Sequence, residues 1–500
     1  MRALVLSLLL ALAAPAWGAT WYVTATGAGA TNGTSLANAF AGWADIPANT
    51  FVAGDVLCVV GELNSDTTMA FTDAGSAGNP IIIAGDCPEG AGILDGNNTA
   101  APVLKLGEAG LAASYVRVRG LTIRDSHPSL STADCILDSS LGAGGGFNEF
   151  VNLTVTDCGM SAINMQKPNP TISGGTYSYC GDDCIGVNTL ATNPTIRGAT
   201  IEFISTRTTT GDGIAIYNTP APSNVIVENN TCYWDYTGKE KSCFILGVSS
   251  GDMVVRGNTL IARVPVPTNH AISITAGTNV YVERNYCKGW NACITHYSTD
   301  AEGIDSALYV RSNIASESQY AVLFTTSVGT PSLYAENNSG GGLVNGLRAT
   351  ATVAANLFVR NNAFRLDGSG GDALYVSNSY NSYTGSSNNF GPEGASFIEN
   401  YKCGGGTYAT AAAYVAACAQ EVGTTSSVPG WMGGDSPDSV MGFCLTPDSP
   451  LLGAGTYIGA YATGYRGKDL GKPPAIGAMA LCRARAIAAD RPAATTRPTH

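Results

Sequence analysis

Apolar and polar residues alternate in short runs along most of the chain, and the runs return at a steady interval. One column holds Val225-Ile226-Val227, Met253-Val254-Val255, Val280-Tyr281-Val282, Leu308-Tyr309-Val310 and Leu357-Phe358-Val359. A second holds Ile185/Val187, Ile214/Ile216, Phe244/Leu246, Ile272/Ile274, Val322/Phe324 and Leu374/Val376. One residue separates the members of each pair, which is the alternation of a strand with one buried face. Two strand columns recurring about every 20 to 30 residues predict a solenoid, in which each coil buries its inward side chains against its neighbours.

Aligning the repeats exposes two further columns. Asn230, Asn258, Asn285, Asn313, Asn338 and Asn362 follow the first strand. Asn tolerates a tight turn, and its amide can bond from coil to coil. Two positions earlier lie Arg197, Glu228, Arg256, Glu283, Arg311, Glu336 and Arg360, alternating in sign at every step. Parallel stacking gives each charge an opposite partner above and below, so this column reads as a salt-bridged outer face.

The two ends depart from the repeat. Residues 1–18 read as a secretory signal: Arg2, an apolar run from Leu4 to Ala14, then the small-residue site Ala16-Trp17-Gly18. That run is too short to span a bilayer. Residues 19–80 read as an N-terminal cap with the first strands, including a short helix over Phe40 to Ile46. Coils are expected over 81–400, a C-terminal capping segment with an Ala-rich helix from Tyr408 to Gln420 over 401–482, and a disordered tail over 483–500.

A formal charge of −12 argues against nucleic acid, which requires basic patches, and makes an anionic polymer awkward unless a cation or a basic cluster mediates. No later segment is apolar enough for a membrane helix. With an export signal, the 14 cysteines read as disulfides. Proximity pairs them as Cys58–Cys87, Cys180–Cys184, Cys232–Cys243, Cys287–Cys293, Cys403–Cys418, Cys444–Cys482 and Cys135–Cys158.

The Asn column, the opening Trp21-Tyr22-Val23…Asn32-Gly33-Thr34 with Gly54-Asp55-Val56, and the closing Asp448-Ser449-Pro450-Leu451-Leu452-Gly453-Ala454-Gly455 with Ile476-Gly477-Ala478 together resemble secreted proteins of the pectate-lyase-like group. The resemblance implies an all-β, right-handed parallel β-helix with an Asn ladder over about residues 80 to 400.

Candidate chemistry gathers at the corner before the second strand column. In successive coils that corner carries Asp134, Ser161, Asp183, Asp212, Ser242, His270, Ala292 and Tyr320, and Asp372 recurs later. Asp182 stands one position upstream of Asp183. Hydrolysis of a glycoside takes two carboxyls. Elimination from a uronate takes a neutralised carboxylate, often through Ca²⁺ on Asp or Glu, and a base. Gly181-Asp182-Asp183-Cys184-Ile185 resembles the Asp-Asp-Cys segment of polygalacturonases, which implies catalytic roles for Asp182 and Asp183. The pattern departs at Ser161, where that family has Asp, and at Gly211-Asp212-Gly213, where it has Gly-His-Gly. His270, in Asn269-His270-Ala271-Ile272, echoes the His motif three coils after Asp183. On the lyase reading Asp182, Asp183 and Asp212 hold calcium and Lys241 is the base, with Arg207 second. On the bland reading each Asp caps backbone N–H groups and Cys180–Cys184 staples a loop.

The expected function is a secreted protein acting on a uronate-containing extracellular polysaccharide, as a lyase or a glycoside hydrolase, without an organic cofactor. The alternatives are a non-catalytic, adhesin-like glycan-binding protein and a phage tail-associated depolymerase or receptor-binding protein. Trp234, Tyr236 and Trp290 are candidates either for stacking on sugars or for packing loops.

Overall fold

The computed structural model describes residues 18–479 apart from 109–110, 112, 140–144, 189–190, 205–210, 217–222, 236–241, 249, 299–303, 328–330, 352–354, 378–379, 392–397, 403–405, 420, 435–436, 457, 459–464 and 467–473. Residues 1–17, expected to be most of a signal, and the expected tail over 483–500 lie outside the described residues. The chain winds as a right-handed parallel β-helix of about 11 turns, with half of its residues in strands. No helix among the described residues is long and apolar enough to cross a membrane.

Each regular coil carries three strands rather than the two read from the sequence. Val116–Arg119, Glu149–Val151, Thr171–Ser173 and Thr195–Arg197 belong to the first sheet. Thr122–Arg124, Thr154–Thr156, Thr176–Ser178 and Thr200–Glu202 follow a tight corner and form the second. Ile136–Asp138, Ile163–Met165, Ile185–Val187 and Ile214–Ile216 form the third. Strands pair in parallel with the strand one coil away. The second-sheet strands escape a pattern search because a single inward residue, such as Ile123 or Val155, carries the signal in each. Inward columns such as Val118, Phe150, Ile172 and Ile196 are fully buried. Burying one such side chain contributes about 1.5–3 kcal/mol, and repetition along the axis accumulates the core.

The corner between the first and second sheets holds the Asn column. Asn230 N–H donates to Asn258 Oδ1 at 2.9 Å, and the same step repeats through Asn285, Asn313, Asn338 and Asn362 to Asn388. Each side-chain amide also donates to a backbone carbonyl, as Asn285 Nδ2 does to Val255 at 3.0 Å. The preceding residue adopts the left-handed region in several coils, with φ 57° at Asn229, 56° at Arg284 and 57° at Asn337. The ladder is shorter than the resemblance implies. The register carries its position back through Ala199, Gly175, Leu153 and Leu121, so the earlier coils fill it with small or apolar residues.

The alternating charges pair in register from Arg197 to Arg360. Arg256 meets Glu228 at 2.7 Å, and Arg311 meets Glu336 at 3.0 Å. Beside them Tyr281, Tyr309, Tyr334 and Phe358 stack with centroids 4.9, 4.8 and 4.5 Å apart.

At the N-terminal end, Phe40–Ala41 is a short strand and Trp43–Asp45 a 3-10 turn, in place of one helix. At the other end the helix Ala411–Ala417 starts from Thr410, whose hydroxyl accepts from Ala413 N–H. It brings Tyr414 against the buried Glu421, and Glu421 accepts from Asn388 Nδ2 at 3.2 Å, closing the Asn ladder. The closing segment then runs back along the second sheet: Pro437 and Asp438 carbonyls accept from Ser316 and Tyr286 hydroxyls, and Ile476 is buried there.

Five disulfides join Cys58–Cys87, Cys135–Cys158, Cys180–Cys184, Cys232–Cys243 and Cys287–Cys293, all as proximity suggests. Cys418 and Cys444 are also bonded, with Cys403 and Cys482 outside the described residues.

Candidate functional site

The acidic corner leads into the third sheet, and its residues share one register column, Asp134, Ser161, Asp183, Asp212 and Ser242. The column is itself a hydrogen-bonding ladder. Asp134 Oδ1 accepts from Ser161 N–H at 3.1 Å, Asp183 Oδ1 from Asp212 N–H at 2.8 Å, and Asp212 Oδ1 from Ser242 N–H at 2.7 Å. Far along the same column Asn345 Oδ1 accepts from Asp372 N–H at 2.9 Å. One oxygen of each acid therefore caps the amide of the next coil. Asp212 is buried, whereas Asp182 and Asp183 are half-buried.

The Asp182–Asp183 loop is held from below and from its ends. Cys180 and Cys184 close it with Cα atoms 5.2 Å apart. Gly181 passes so near the previous coil that a Cβ would sit 1.9 Å from the Gly159 carbonyl oxygen, which only glycine allows.

The sequence reading placed Asp134 in this column without assigning it chemistry. It is buried, and its second oxygen accepts from Asn164 Nδ2 at 3.0 Å. Burial pushes its carboxyl up to about 6, and the charge of Asp182 adds to that rise. Asp134 and Asp182 lie on coils two steps apart, on either side of Ser161. Nearby the outer face of the third sheet is floored by amides: Asn164 Oδ1 accepts from Asn188 Nδ2 at 2.6 Å and from Gln166 Nε2 at 3.5 Å. Gly186 and Ala215 continue this strip without a projecting side chain.

The other candidates separate. His270 occupies the same column beyond Ser242, with its Nε2 3.4 Å from Asn291 Nδ2. Burial pushes it down to about 4, so it is neutral at ordinary pH. Lys241, Arg207 and Tyr236 lie outside the described residues. Trp234 and Trp290 are buried against each other with centroids 6.1 Å apart, so they pack the coil. Among the described residues, the one set of three ligand groups within 4.8 Å of one another is Cys58, Cys87 and Glu89, whose cysteines form a disulfide. Of Asp182, Asp183 and Asp212, two are committed to caps on different coils.

Two other places stand apart from this cluster, Asp372 further along the column and a cavity that the sequence does not point to. Asp372 is pushed up to about 6 by burial and by Glu399, against Arg348, whose guanidinium lies 4.6 Å from the Tyr375 ring centre. A cavity of about 810 Å³ opens between the second sheet and the returning C-terminal segment, with Arg263, Lys288, Tyr286 and Met441 on its walls.

No protein-family model matches the sequence, and no curated protein is similar to it. Among solved structures the chain is similar to pectate lyase Pel9A, at 13% identity over 93% of this chain and 96% of that one, with a TM-score of 0.48. It is similar to the GH136 lacto-N-biosidase from Eubacterium ramulus, at 11% identity over 73% and 68%, with a TM-score of 0.36. It is also similar to the Streptococcus pneumoniae surface protein and adhesin PfbA, at 9% identity over 66% and 89%, with a TM-score of 0.33.

Proposed function

We propose that the protein is an exported enzyme that hydrolyses an extracellular polysaccharide, with Asp134 and Asp182 as its working carboxyls and Asp183 as the corner cap that positions them. The observation carrying this reading is the unequal pair: a buried Asp134 that retains its proton up to about pH 6, raised in part by the charge of Asp182. A carboxyl that keeps its proton is suited to act as the acid, and Asp182 is the carboxyl assigned here as the base. Asp134 then delivers its proton to the glycosidic oxygen as the bond from the anomeric carbon breaks. A water bonds that carbon and gives its proton to Asp182. Two coil steps separate the backbones by roughly 10 Å. Five disulfides support work outside the cell.

The test is a polysaccharide panel incubated with Ca²⁺ and with chelator, read for reducing ends and for the ultraviolet absorbance of unsaturated products. Hydrolysis predicts reducing ends without absorbance and without dependence on Ca²⁺. Calcium-dependent absorbance would replace it with elimination. Tight binding without either signal, unchanged in Asp182→Asn, would make the protein a non-catalytic glycan binder.

A further inference from the structure

The coils around the acid pair contain two aromatic stacks on backbone that disfavours aromatic residues. Tyr179 and Phe203 stack with centroids 4.5 Å apart and planes 10° from parallel. Tyr115 and Phe147 stack at 4.9 Å and 3°. All four adopt the left-handed region, with φ between 51° and 60°. A bulky residue is rare there. In neighbouring coils the same corners carry residues suited to it: Asp157 next to Tyr179, with φ 55°, Asn169 next to Phe147, with φ 54°, and Asn193 one coil further, with φ 48°. The backbone therefore does not call for an aromatic ring at these four positions.

The register shows where the free ring faces look. Phe203 covers Tyr179 on the side of the later coil, so the open face of Tyr179 is turned toward Asp157. Tyr115 covers Phe147 on the side of the earlier coil, so the open face of Phe147 is turned toward Asn169. Asp157 and Asn169 bracket one third-sheet strand, Ile163–Met165, together with Ser161 and Asn164. That is the coil which Asp134 and Asp182 straddle. Tyr179 is 43% and Phe147 48% exposed, the values expected of rings with one open face.

Charge selects among the sugars that could lie there. Among the described residues of these coils the cations are Lys105, Arg117, Arg119, Arg124, Lys167 and Arg197, while Arg207, Lys239 and Lys241 lie outside the described residues. Each of the described cations lies within salt-bridge distance of a carboxylate of this chain: Glu108, Glu149, Asp86, Asp95, Asp138 and Glu228 respectively. Lys167 is moreover turned into the core, where it donates to the carbonyls of Leu106 and Ala113. Asp157, Asp182 and Asp183 meanwhile place acidic side chains beside the amide floor. The described groups therefore favour an uncharged pyranose over a uronate: its C–H face fits an aromatic ring and its hydroxyls fit amides and carboxylates.

We infer that the substrate is an uncharged polysaccharide lying across the β-helix along Ile163–Met165, with Tyr179 and Phe147 gripping sugar rings at either end. This rests on the hydrolase reading for the site but not for the binding. The test uses Tyr179→Asn and Phe147→Asn, which give each left-handed corner the residue it favours. Melting temperature should hold or rise in both. Affinity for soluble neutral polymers (a xylan, an arabinan, a galactan and a mixed-linkage glucan), measured by affinity electrophoresis, should fall at least tenfold for every polymer that binds the unmodified protein, and polygalacturonate and alginate should not bind. Binding of the polyuronates in preference, binding to none of the neutral polymers, or unchanged affinity in both variants overturns the inference. Neutral binding that depends on the two rings, without release of reducing ends, would uphold it while removing the hydrolase reading.

Discussion

The two halves of the β-helix solve the same corner differently. From Asn230 to Asn388 the turn between the first and second sheets is filled by one residue type, and each Asn bonds the backbone and side chain of the next. Before Asn230 the same position holds Leu121, Leu153, Gly175 and Ala199. The later half also repeats itself outside, with charges alternating in sign and four aromatic rings in file. The earlier half breaks its outer pattern: Asp134 and Asp182 stand on coils either side of Ser161, aromatic rings occupy left-handed corners, and a disulfide closes the loop at Cys180. Repetition serves stability, since every coil supports its neighbours identically. Where the repeat is interrupted, side chains are set for something other than stacking.

Exchanging the two corner solutions should break this contrast most visibly. Asn285→Leu removes the acceptor of the Asn258 N–H and side-chain amide and leaves the Val255 carbonyl without its donor. The loss should reach about 3–5 kcal/mol in denaturant unfolding, since each orphaned buried group costs about 1–3 kcal/mol. Leu153→Asn should lower stability by about 2–4 kcal/mol, because a lone amide enters an apolar corner with no ladder to join.

A smaller effect comes from pH. Burial pushes Asp134 and Asp138 up to about 6 in the folded protein. A raised folded-state value means that the contribution is complete below the unfolded value of about 4 and is lost as pH rises through the folded one. Melting temperature should therefore climb as pH falls from 7 toward 4, with on the order of 2 kcal/mol from each group. Asp134→Asn should flatten part of that climb.

In the later half, Tyr309→Ala deletes two ring contacts and the Arg311 guanidinium 4.2 Å from its ring centre. About 1–2 kcal/mol should be lost. Least of all, Arg256→Gln breaks a 2.7 Å pair with Glu228 at a side chain that is 43% exposed. Exposed pairs contribute about 0–1 kcal/mol, and this change should vanish in high salt.

The later half was the more legible from sequence for the same reason that it is regular. Asn285 and Glu283 recur in register, so their columns align without a structure. The second sheet stayed hidden because Thr122–Arg124 and its successors show one buried residue each. In the earlier half, the corner column from Asp134 to Asp212 was readable as positions but not as roles. An Asp beside a corner looks the same whether it only caps an amide, as Asp212 does for Ser242, or caps one and is also raised by burial and a neighbouring charge, as Asp134 is. Burial comes from neighbouring coils, and a linear pattern does not contain it. The left-handed backbone at Tyr179 and Phe147 was likewise invisible, because aromatic residues do not announce it.

Charge-neutral substitution in both halves tests the central claim most directly. Asp182→Asn and Asp372→Asn each replace a half-buried corner acid, one beside Asp134 and one far along the same column. The release of reducing ends from a neutral polysaccharide by each variant is to be compared with the unmodified protein at equal folded fraction. The account predicts that Asp182→Asn loses activity by about 10²-fold or more, while Asp372→Asn stays within a few-fold of normal. Full activity in Asp182→Asn together with its loss in Asp372→Asn would contradict the account and move the chemistry to the other end of the β-helix.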